Sequence, residues 1–287
     1  MKTVLITGAN GQLGQALKQI AGDYPAFSFL YTDYTELDIT NEEAVNAFFS
    51  EQEIHACINC AAYTAVDKAE SEEELAFKLN FEAVMHLANA CQIHNARFIQ
   101  ISTDYVFDGK KNTPYTEEDD TDAQSIYGSS KLRGEATALS INTDTIVIRT
   151  AWLYSQYGVN FVKRMRELMQ EKDSLNVVFD QAGTPTYAVD LAQVLLSVLT
   201  RAIDAPGTLG GVYHYSNEGV LSWYDFAIAI RDMSGLSCNI QPVTSDKYPT
   251  PAKRPAYSVF NKQKIKETFE IEVPYWKESL AVCLKHL

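Results

Sequence analysis

The chain has 287 residues, 46% hydrophobic and 21% charged, with a formal net charge of −13. That length holds one large or two small domains with ample apolar material for a core. The acidic balance argues against nucleic acid and anionic membrane as main partners, and an anionic ligand needs a local basic pocket to overcome the global field. The cysteines Cys57, Cys60, Cys91, Cys238 and Cys283 are odd in number and scattered, the usage of a reduced, cytoplasmic protein. Cys57 and Cys60 mimic a redox pair. They fall in a strand-like run, however, where residues three apart point to opposite faces. No apolar run reaches membrane-spanning length, and the chain opens on a buried-strand pattern in place of a signal leader.

In chain order, Lys2 to Thr7 reads as a buried strand and Gln12 to Ile20 as the helix after a glycine loop. Phe27 to Tyr31 is a second strand. Thr40-Asn-Glu-Glu43 has capping-box spacing and predicts a helix through Phe49. Ile54 to Cys60 is a third strand, and Ser71-Glu-Glu-Glu74 opens a long helix to about His94. Arg97 to Ile101 and Thr145 to Arg149 follow as the fourth and fifth strands. The second half is less regular: helices over Asn160 to Gln170, Tyr187 to Arg201 and Trp223 to Met233 (capped by Ser222), strands over Asn176 to Phe179 and Gly211 to Tyr215, and a proline-fixed loop over Tyr248 to Pro255. Strands alternating with helices imply an α/β chain: a Rossmann-type, doubly wound parallel sheet with a smaller interleaved α/β substrate-binding part. Residues 1–152 are assigned to the dinucleotide-binding domain, with later segments returning to it. Residues 153–287 are assigned mainly to the second part.

Gly8, Gly11 and Gly14 follow the first strand and open a helix, where backbone N–H groups approach a pyrophosphate. Asp33 comes 19 residues after Gly14 at the end of the second strand, where an acid binds an adenosine ribose. No Arg or Lys adjoins it to hold a 2′-phosphate, so the pattern leans to NADH over NADPH. A plain turn role for Asp33 is the alternative. Asp38 and Ile39 border the adenine in this reading, and Ala61 and Ala62 close the third strand at the ligand-facing edge.

Ser102 and Thr103 end the fourth strand at the same edge. Tyr127 and Lys131 are four apart on one helix face, so the ammonium can sit beside the phenol. A phenol ionises near pH ~10, and bringing it to working pH takes ~4 kcal/mol of differential stabilisation from such a cation. The set predicts carbonyl reduction: Thr103 donates to the carbonyl oxygen, Tyr127 gives the proton, and Lys131 tunes the phenol and binds ribose hydroxyls. Trp152 can stack on a ring and Asp104 can hold sugar hydroxyls; a core role is the alternative for Trp152. Lys253 and Arg254 are candidates for the local positive charge, against an idle surface role. The five histidines are isolated, and no metal-spaced cluster appears.

These residues resemble the extended short-chain dehydrogenase/reductases, and more closely the dTDP-4-dehydrorhamnose reductases. The similarity spans the chain and is carried by Gly8 to Gly14, Asn59 to Glu70, Ser102 to Gly109, Tyr127 to Lys131, Arg149 to Tyr154, Asp180 to Thr186 and Tyr248 to Pro255. The resemblance implies reduction of the 4-keto group of a dTDP-6-deoxyhexulose to dTDP-L-rhamnose with NADH or NADPH. It implies cofactor contacts at Asn10, Gly11, Gln12, Asp38, Ile39, Ala61, Ala62, Tyr63 and Ser102, and sugar-nucleotide contacts at Thr103, Asp104 and Trp152. It is compatible with a homodimer. Some members use magnesium at a subunit interface through acidic side chains; Gln15 is a poor contributor, which leaves magnesium open. Two rivals stand: a sugar-nucleotide epimerase or dehydratase, and a non-catalytic chain resembling the regulatory subunits of methionine adenosyltransferase. Thr103-Asp104 stands where dehydratases carry Asp-Glu, which disfavours that rival.

Overall fold

The computed structural model describes every residue except Pro206 and Thr208. The first half runs β1 (Lys2–Thr7), α1 (Gln12–Ile20), β2 (Phe27–Tyr31), α2 (Glu42–Glu51), β3 (Ala56–Asn59), α3 (Val66–Ala69), α4 (Glu73–Phe77), α5 (Ala83–Ile93), β4 (Arg97–Thr103), α6 (Ile126–Ile141) and β5 (Ile146–Thr150). The second half runs β6 (Leu153–Tyr154), α7 (Phe161–Glu171), β7 (Ser174–Val178), β8 (Ala182–Gly183), β9 (Thr186–Tyr187), α8 (Ala188–Ala202), β10 (Gly211–His214), β11 (Leu221–Ser222), α9 (Trp223–Met233), β12 (Asn239–Val243), α10 (Gln263–Phe269) and α11 (Trp276–Leu284).

The central sheet is all parallel, in the order β2-β1-β3-β4-β5-β10. Its inner strands are buried on both faces, which is why Val4-Leu5-Ile6 and Ile146-Val147-Ile148 read as unbroken apolar runs. Along β1 alternate residues enter different cores. Val4 and Ile6 pack with Leu13, Leu17 and Leu195 of α1 and α8, while Leu5 packs with Val45, Phe49 and Leu87 of α2 and α5. The result is a three-layer α/β/α sandwich. The direction of strand progression reverses between β1 and β3, so the crevice for a ligand opens at their carboxyl ends.

The remaining strands pair locally: β6 with β9, β7 with β12, and β8 with β11. α7 and α9 cover β7 through Met169, Val177, Ala227 and Ile240. β10 and α8 nevertheless lie in the central sandwich, so the chain leaves the sheet after β5 and returns to it.

Two start signals moved. Asn41, not Thr40, caps α2, its Oδ1 accepting from Ala44 N at 3.1 Å. The Thr40 hydroxyl instead donates to Asp38 at 2.7 Å. Ser71 caps nothing; its hydroxyl donates to the Lys68 carbonyl. The long helix expected from there to His94 is broken into α4, a π-helical turn at Lys78–Glu82, and α5. The π turn has a tertiary cause. Asn80 lies against Gly134 of α6, where an added Cβ would stand 2.0 Å from the Asn80 carbonyl oxygen. The Asn80 side chain accepts from Tyr63 N at 2.9 Å and donates to Tyr63 O and Ser130 Oγ at 3.0 Å. The bulge thus fastens the loop after β3 to α6.

Candidate active site

At the end of β1 the backbone turns at Gly8, with φ +63°. A Cβ there would lie 2.6 Å from the Ala61 nitrogen, so conformation and neighbour both demand glycine. A Cβ at Gly14 would stand 2.5 Å from Ala9 Cα, which sets how closely α1 approaches the turn. No side chain caps α1 at Gly11, and Gly11, Gln12 and Leu13 line the cleft. A helix N-terminus presented this way receives an anion. Asp33 sits beside this turn, its carboxylate accepting from Asn10 N at 3.0 Å and Tyr34 N at 2.8 Å.

Behind the cleft a polar chain crosses the three neighbouring strands β1, β3 and β4. Thr7 Oγ1 donates to Asn59 Oδ1 at 2.5 Å, and Asn59 Nδ2 donates to Gln100 Oε1 at 2.8 Å. Asn59 Oδ1 also takes the Ala61 N–H at 3.2 Å. Satisfied and buried, this chain fixes the crevice floor. In the sequence these are polar residues in apolar strands, Thr7 and Asn59 at the carboxyl ends of β1 and β3 and Gln100 within β4.

Tyr127 and Lys131 lie on α6, which Ser125 starts by accepting from Gly128 N at 3.1 Å. Gly128 brings α6 against the loop after β4, since a Cβ there would meet the Tyr105 carbonyl oxygen at 2.2 Å. The Tyr127 ring meets the Tyr105 ring edge-on at 5.4 Å. Lys131 Nζ donates to the Ile101 carbonyl at 2.6 Å and is buried. Burial lowers its ammonium to about 8, with Glu135 and Cys60 pulling the other way. The expectation that Lys131 depresses the phenol is not what the protein alone achieves. Burial holds the Tyr127 phenol well above its ordinary value, Asp104 and Tyr105 add to this, and only the Thr103 hydroxyl opposes it. Tyr127 is therefore a protonated acid at neutral pH.

Thr103 Oγ1 donates to Asp104 Oδ1 at 3.0 Å. Desolvation raises the Asp104 carboxyl to about 6, the hydroxyls of Ser258 and Thr103 partly opposing it. Asp104 Oδ2 and Ser102 Oγ are buried without a hydrogen-bond partner among the described residues. Both residues line the cleft, and unsatisfied polar atoms at that place suit a polar ligand.

Trp152 follows β5 with φ +49°, a left-handed conformation rare for a bulky residue and a mark of functional strain. Its indole stacks on Trp223 of α9 at 3.6 Å and 12°. A Cβ on Gly183 would come within 2.7 Å of that indole, so Gly183 makes the space for it. Trp223 was not singled out in the sequence, where its position at the start of a helix marked it only as a helix former.

One cleft of about 790 Å³ gathers Gly8, Gly11, Gln12, Asp33, Asp38, Ile39, Ala61, Ala62, Ser102, Thr103, Asp104, Tyr127, Lys131 and Trp152, together with Val159, Asn160 and Trp223. Asn10, Gly14 and Tyr63 stand just behind it: Asn10 holds Asp33, Gly14 packs on the turn, and the Tyr63 hydroxyl donates to Glu72 at 2.5 Å. Lys253 and Arg254 lie outside the cleft lining. Arg254 pairs with Asp67 at 2.8 Å and donates to the Tyr105 hydroxyl at 3.2 Å, and Lys253 donates to Gln124 at 2.9 Å. The Cys57 and Cys60 thiols are both pushed upward, chiefly by burial, which makes them poor redox nucleophiles. Among the described residues no group of three or more His, Cys, Asp or Glu gathers to hold a metal.

A glycine turn at a switch point, with Tyr and Lys on the helix beside the Ser-Thr strand end, defines a Rossmann-type oxidoreductase of the short-chain dehydrogenase/reductase kind. The chain belongs to the family described as "RmlD substrate binding domain", whose model matches residues 1–287. It is 41% identical over 286 residues to a dTDP-4-dehydrorhamnose reductase of Aggregatibacter actinomycetemcomitans, covering 98% of this chain and 97% of that one. The crystal structure of a dTDP-4-dehydrorhamnose reductase from Clostridium acetobutylicum superposes with a TM-score of 0.93 at 44% identity, covering 99% of this chain and 98% of that one. That of the Bacillus anthracis dTDP-4-dehydrorhamnose reductase in complex with NADP gives 0.95 at 37% identity, covering 100% of both.

Proposed function

We propose that this chain reduces the 4-keto group of dTDP-4-dehydro-6-deoxy-L-mannose to dTDP-L-rhamnose, using NADH or NADPH. One observation carries the reading: a buried, protonated phenol (Tyr127), a hydroxyl (Thr103) and an ammonium (Lys131) share a cleft that begins at a glycine turn. The forced glycines at Gly8 and Gly14 let the turn pack tightly on Ala61 and Ala9 and leave Gly11, Gln12 and Leu13 at the start of α1 open to the cleft, so the residues present fit a dinucleotide. The first turn of α1 would hold its pyrophosphate, Asp33 a ribose, and Ser102, Ala61 and Ala62 the nicotinamide half. Bound there, the dinucleotide supplies a hydride to the ketone carbon. Thr103 turns its hydroxyl from Asp104 to the ketone oxygen and orients it. Tyr127 transfers its phenolic proton to that oxygen, completing the alcohol. Lys131 keeps one N–H on Ile101 and has two more for ribose hydroxyls. Trp152 and Asp104 hold the sugar nucleotide. Residues 1–152 serve mainly the dinucleotide, with α8 and β10 returning to that sandwich, and residues 153–287 mainly the sugar nucleotide.

No helix among the described residues is long and apolar enough to cross a membrane, in keeping with a cytoplasmic enzyme. The test is nicotinamide oxidation by the purified chain given the 4-keto sugar nucleotide, with NADH and NADPH separately. Tyr127→Phe is expected to keep dinucleotide binding and lose turnover by roughly 100-fold or more, the range for removing a positioned acid. Unchanged turnover in that variant would sink the assignment. Folded protein that binds dinucleotide but oxidises neither form would point to an epimerase or a regulatory binding subunit.

A further inference from the structure

Two segments that carry the family resemblance, Asn59 to Glu70 and Tyr248 to Pro255, meet at one edge of the reaction site. Asp67 stands on α3, and both of its carboxylate oxygens go to the proline-fixed loop: Oδ1 accepts from Ala252 N at 3.3 Å and Oδ2 from Arg254 Nη2 at 2.8 Å. The other arm of the guanidinium turns to the loop after β4. Arg254 Nη1 donates to the Tyr105 hydroxyl at 3.2 Å, and the Tyr105 ring meets the Tyr127 ring edge-on, with centroids 5.4 Å apart and planes at 77°. We propose that Arg254 is a positioning residue for the reduction: by holding Asp67 and Tyr105 at once, it fixes the Tyr105 ring as the wall against which the Tyr127 phenol is aimed.

The same short helix braces Tyr127 in other ways. Glu70, next after α3, accepts from Ile126 N at 2.9 Å, which ties down the backbone one residue before Tyr127. Tyr127 also packs on the cluster of Tyr63, Ala69 and Ala76, of which Ala69 belongs to α3. The Tyr105 carbonyl lies against Gly128, where a Cβ would stand 2.2 Å away. The backbones of both tyrosines are thus placed, but a ring still turns about its side-chain torsions. The Arg254 fork holds the far end of the Tyr105 ring. Burial pushes the Tyr105 phenol up to about 12, with Arg254 opposing, so the guanidinium meets a neutral oxygen that can accept. A planar guanidinium reaches two partners in fixed directions, which an ammonium on a flexible stem does not. Arg254 lies outside the cleft lining and Tyr105 lines it, so the effect on the reacting phenol runs through Tyr105.

The proposal rests on Tyr127 acting as the acid, so Tyr127→Phe is assayed beside the other variants; retained turnover there removes the acid and the proposal with it. Two readouts follow: kcat with both substrates saturating, and the ring-proton NMR shifts of Tyr127 in the dinucleotide-free protein, which an edge-on neighbour displaces by its ring current. Arg254→Met and Tyr105→Phe should each lower kcat by about tenfold, within the roughly 100-fold that a 1 Å misplacement can cost. Each should shift the Tyr127 ring resonances and leave the dinucleotide Kd unchanged. Because both act through one contact, the double variant should be no worse than the more damaging single variant. Arg254→Lys keeps a charge for Asp67 without the fork, so its stability to urea should recover while its kcat stays low. Full recovery of kcat in Arg254→Lys would reduce the contact to loop anchoring and overturn the proposal, as would losses that multiply in the double variant. A raised KM for the sugar nucleotide at unchanged kcat in Tyr105→Phe would make Tyr105 a plain substrate contact and overturn it too. Wild-type kcat and ring shifts in Tyr105→Phe have the same force, even where the Arg254 variants do not fold.

Discussion

Asp33 illustrates how far one side chain can decide cofactor choice. Its carboxylate accepts two backbone N–H groups, from Asn10 and Tyr34, so it is fixed at the edge of the glycine turn. A fixed carboxylate accepts a ribose hydroxyl and repels a phosphate ester at the same atom. Asp33→Ala should therefore raise the ratio of NADPH to NADH kcat/KM by roughly tenfold or more, on the scale of one charge-assisted contact. An unchanged ratio, measured under matched salt, would remove Asp33 from the ribose site. Asp33 was legible in the sequence because the strand and the loop length fix where it falls. The Trp152–Trp223 stack was half legible. Trp152 stood out because it follows β5, but neither its left-handed backbone nor its partner is written locally. Both depend on Gly183 and on α9, which the sequence places 31 and 71 positions further on (183 − 152 and 223 − 152). The phenol's tuning was misread for a similar reason. An i, i+4 spacing fixes which face two side chains share, not which way an ammonium turns once a bare carbonyl such as Ile101 is nearer.

Among the elements, α6 carries the most constraint. One edge bears Tyr127, Lys131 and Glu135; other positions approach neighbouring backbone so closely that only glycine fits. Gly134 abuts the Asn80 carbonyl and Gly128 the Tyr105 carbonyl. These contacts set the depth at which the phenol and ammonium enter the cleft. Gly134→Ala must displace either α6 or the π turn at Lys78–Glu82, and overpacking against backbone costs about 1 to 3 kcal/mol or more. Urea unfolding should show that loss, together with a fall in kcat larger than the rise in KM. Full stability in the variant would mean the π turn yields freely. The long helix expected across this region failed because helical periodicity reports one buried face, whereas the extra residue of the π turn answers a contact about 50 positions away in sequence (134 − 80 = 54). The six-stranded sheet was legible, up to the return of β10, since strands buried on both faces leave continuous apolar runs. The two-residue strands β6, β8, β9 and β11 were not, being too short for any period. β12 and the closing helices α10 and α11 were likewise passed over.

At the scale of the whole molecule, opposed buried ionisations set the response to acid. Burial, aided by Arg149, depresses His214 to about 3, while its unfolded value is about 6.5. As pH falls from ~6.5 towards ~3 the unfolded chain takes a proton that the folded chain refuses, so stability is lost, by roughly 2 kcal/mol at pH 5. Asp104 works the other way. Its carboxyl is raised to about 6 in the fold, against ~3.9 unfolded. Between these values the folded chain holds the extra proton, so stability is gained as pH falls, by roughly 1 kcal/mol at pH 5. The two oppose each other, which predicts a shallower dependence on pH between neutrality and pH 5 than His214 alone would give. Separating them makes the argument testable by urea unfolding of the dinucleotide-free protein at pH 7 and pH 5. His214→Gln keeps a donor for the Tyr115 carbonyl but not the titration, so its stability should rise on acidification relative to wild type. Asp104→Asn removes the compensating gain and should fall more steeply. Parallel behaviour of the two variants would mean that the acid response belongs to the net charge of −13 and its neutralisation, not to the groups that flank the catalytic helix.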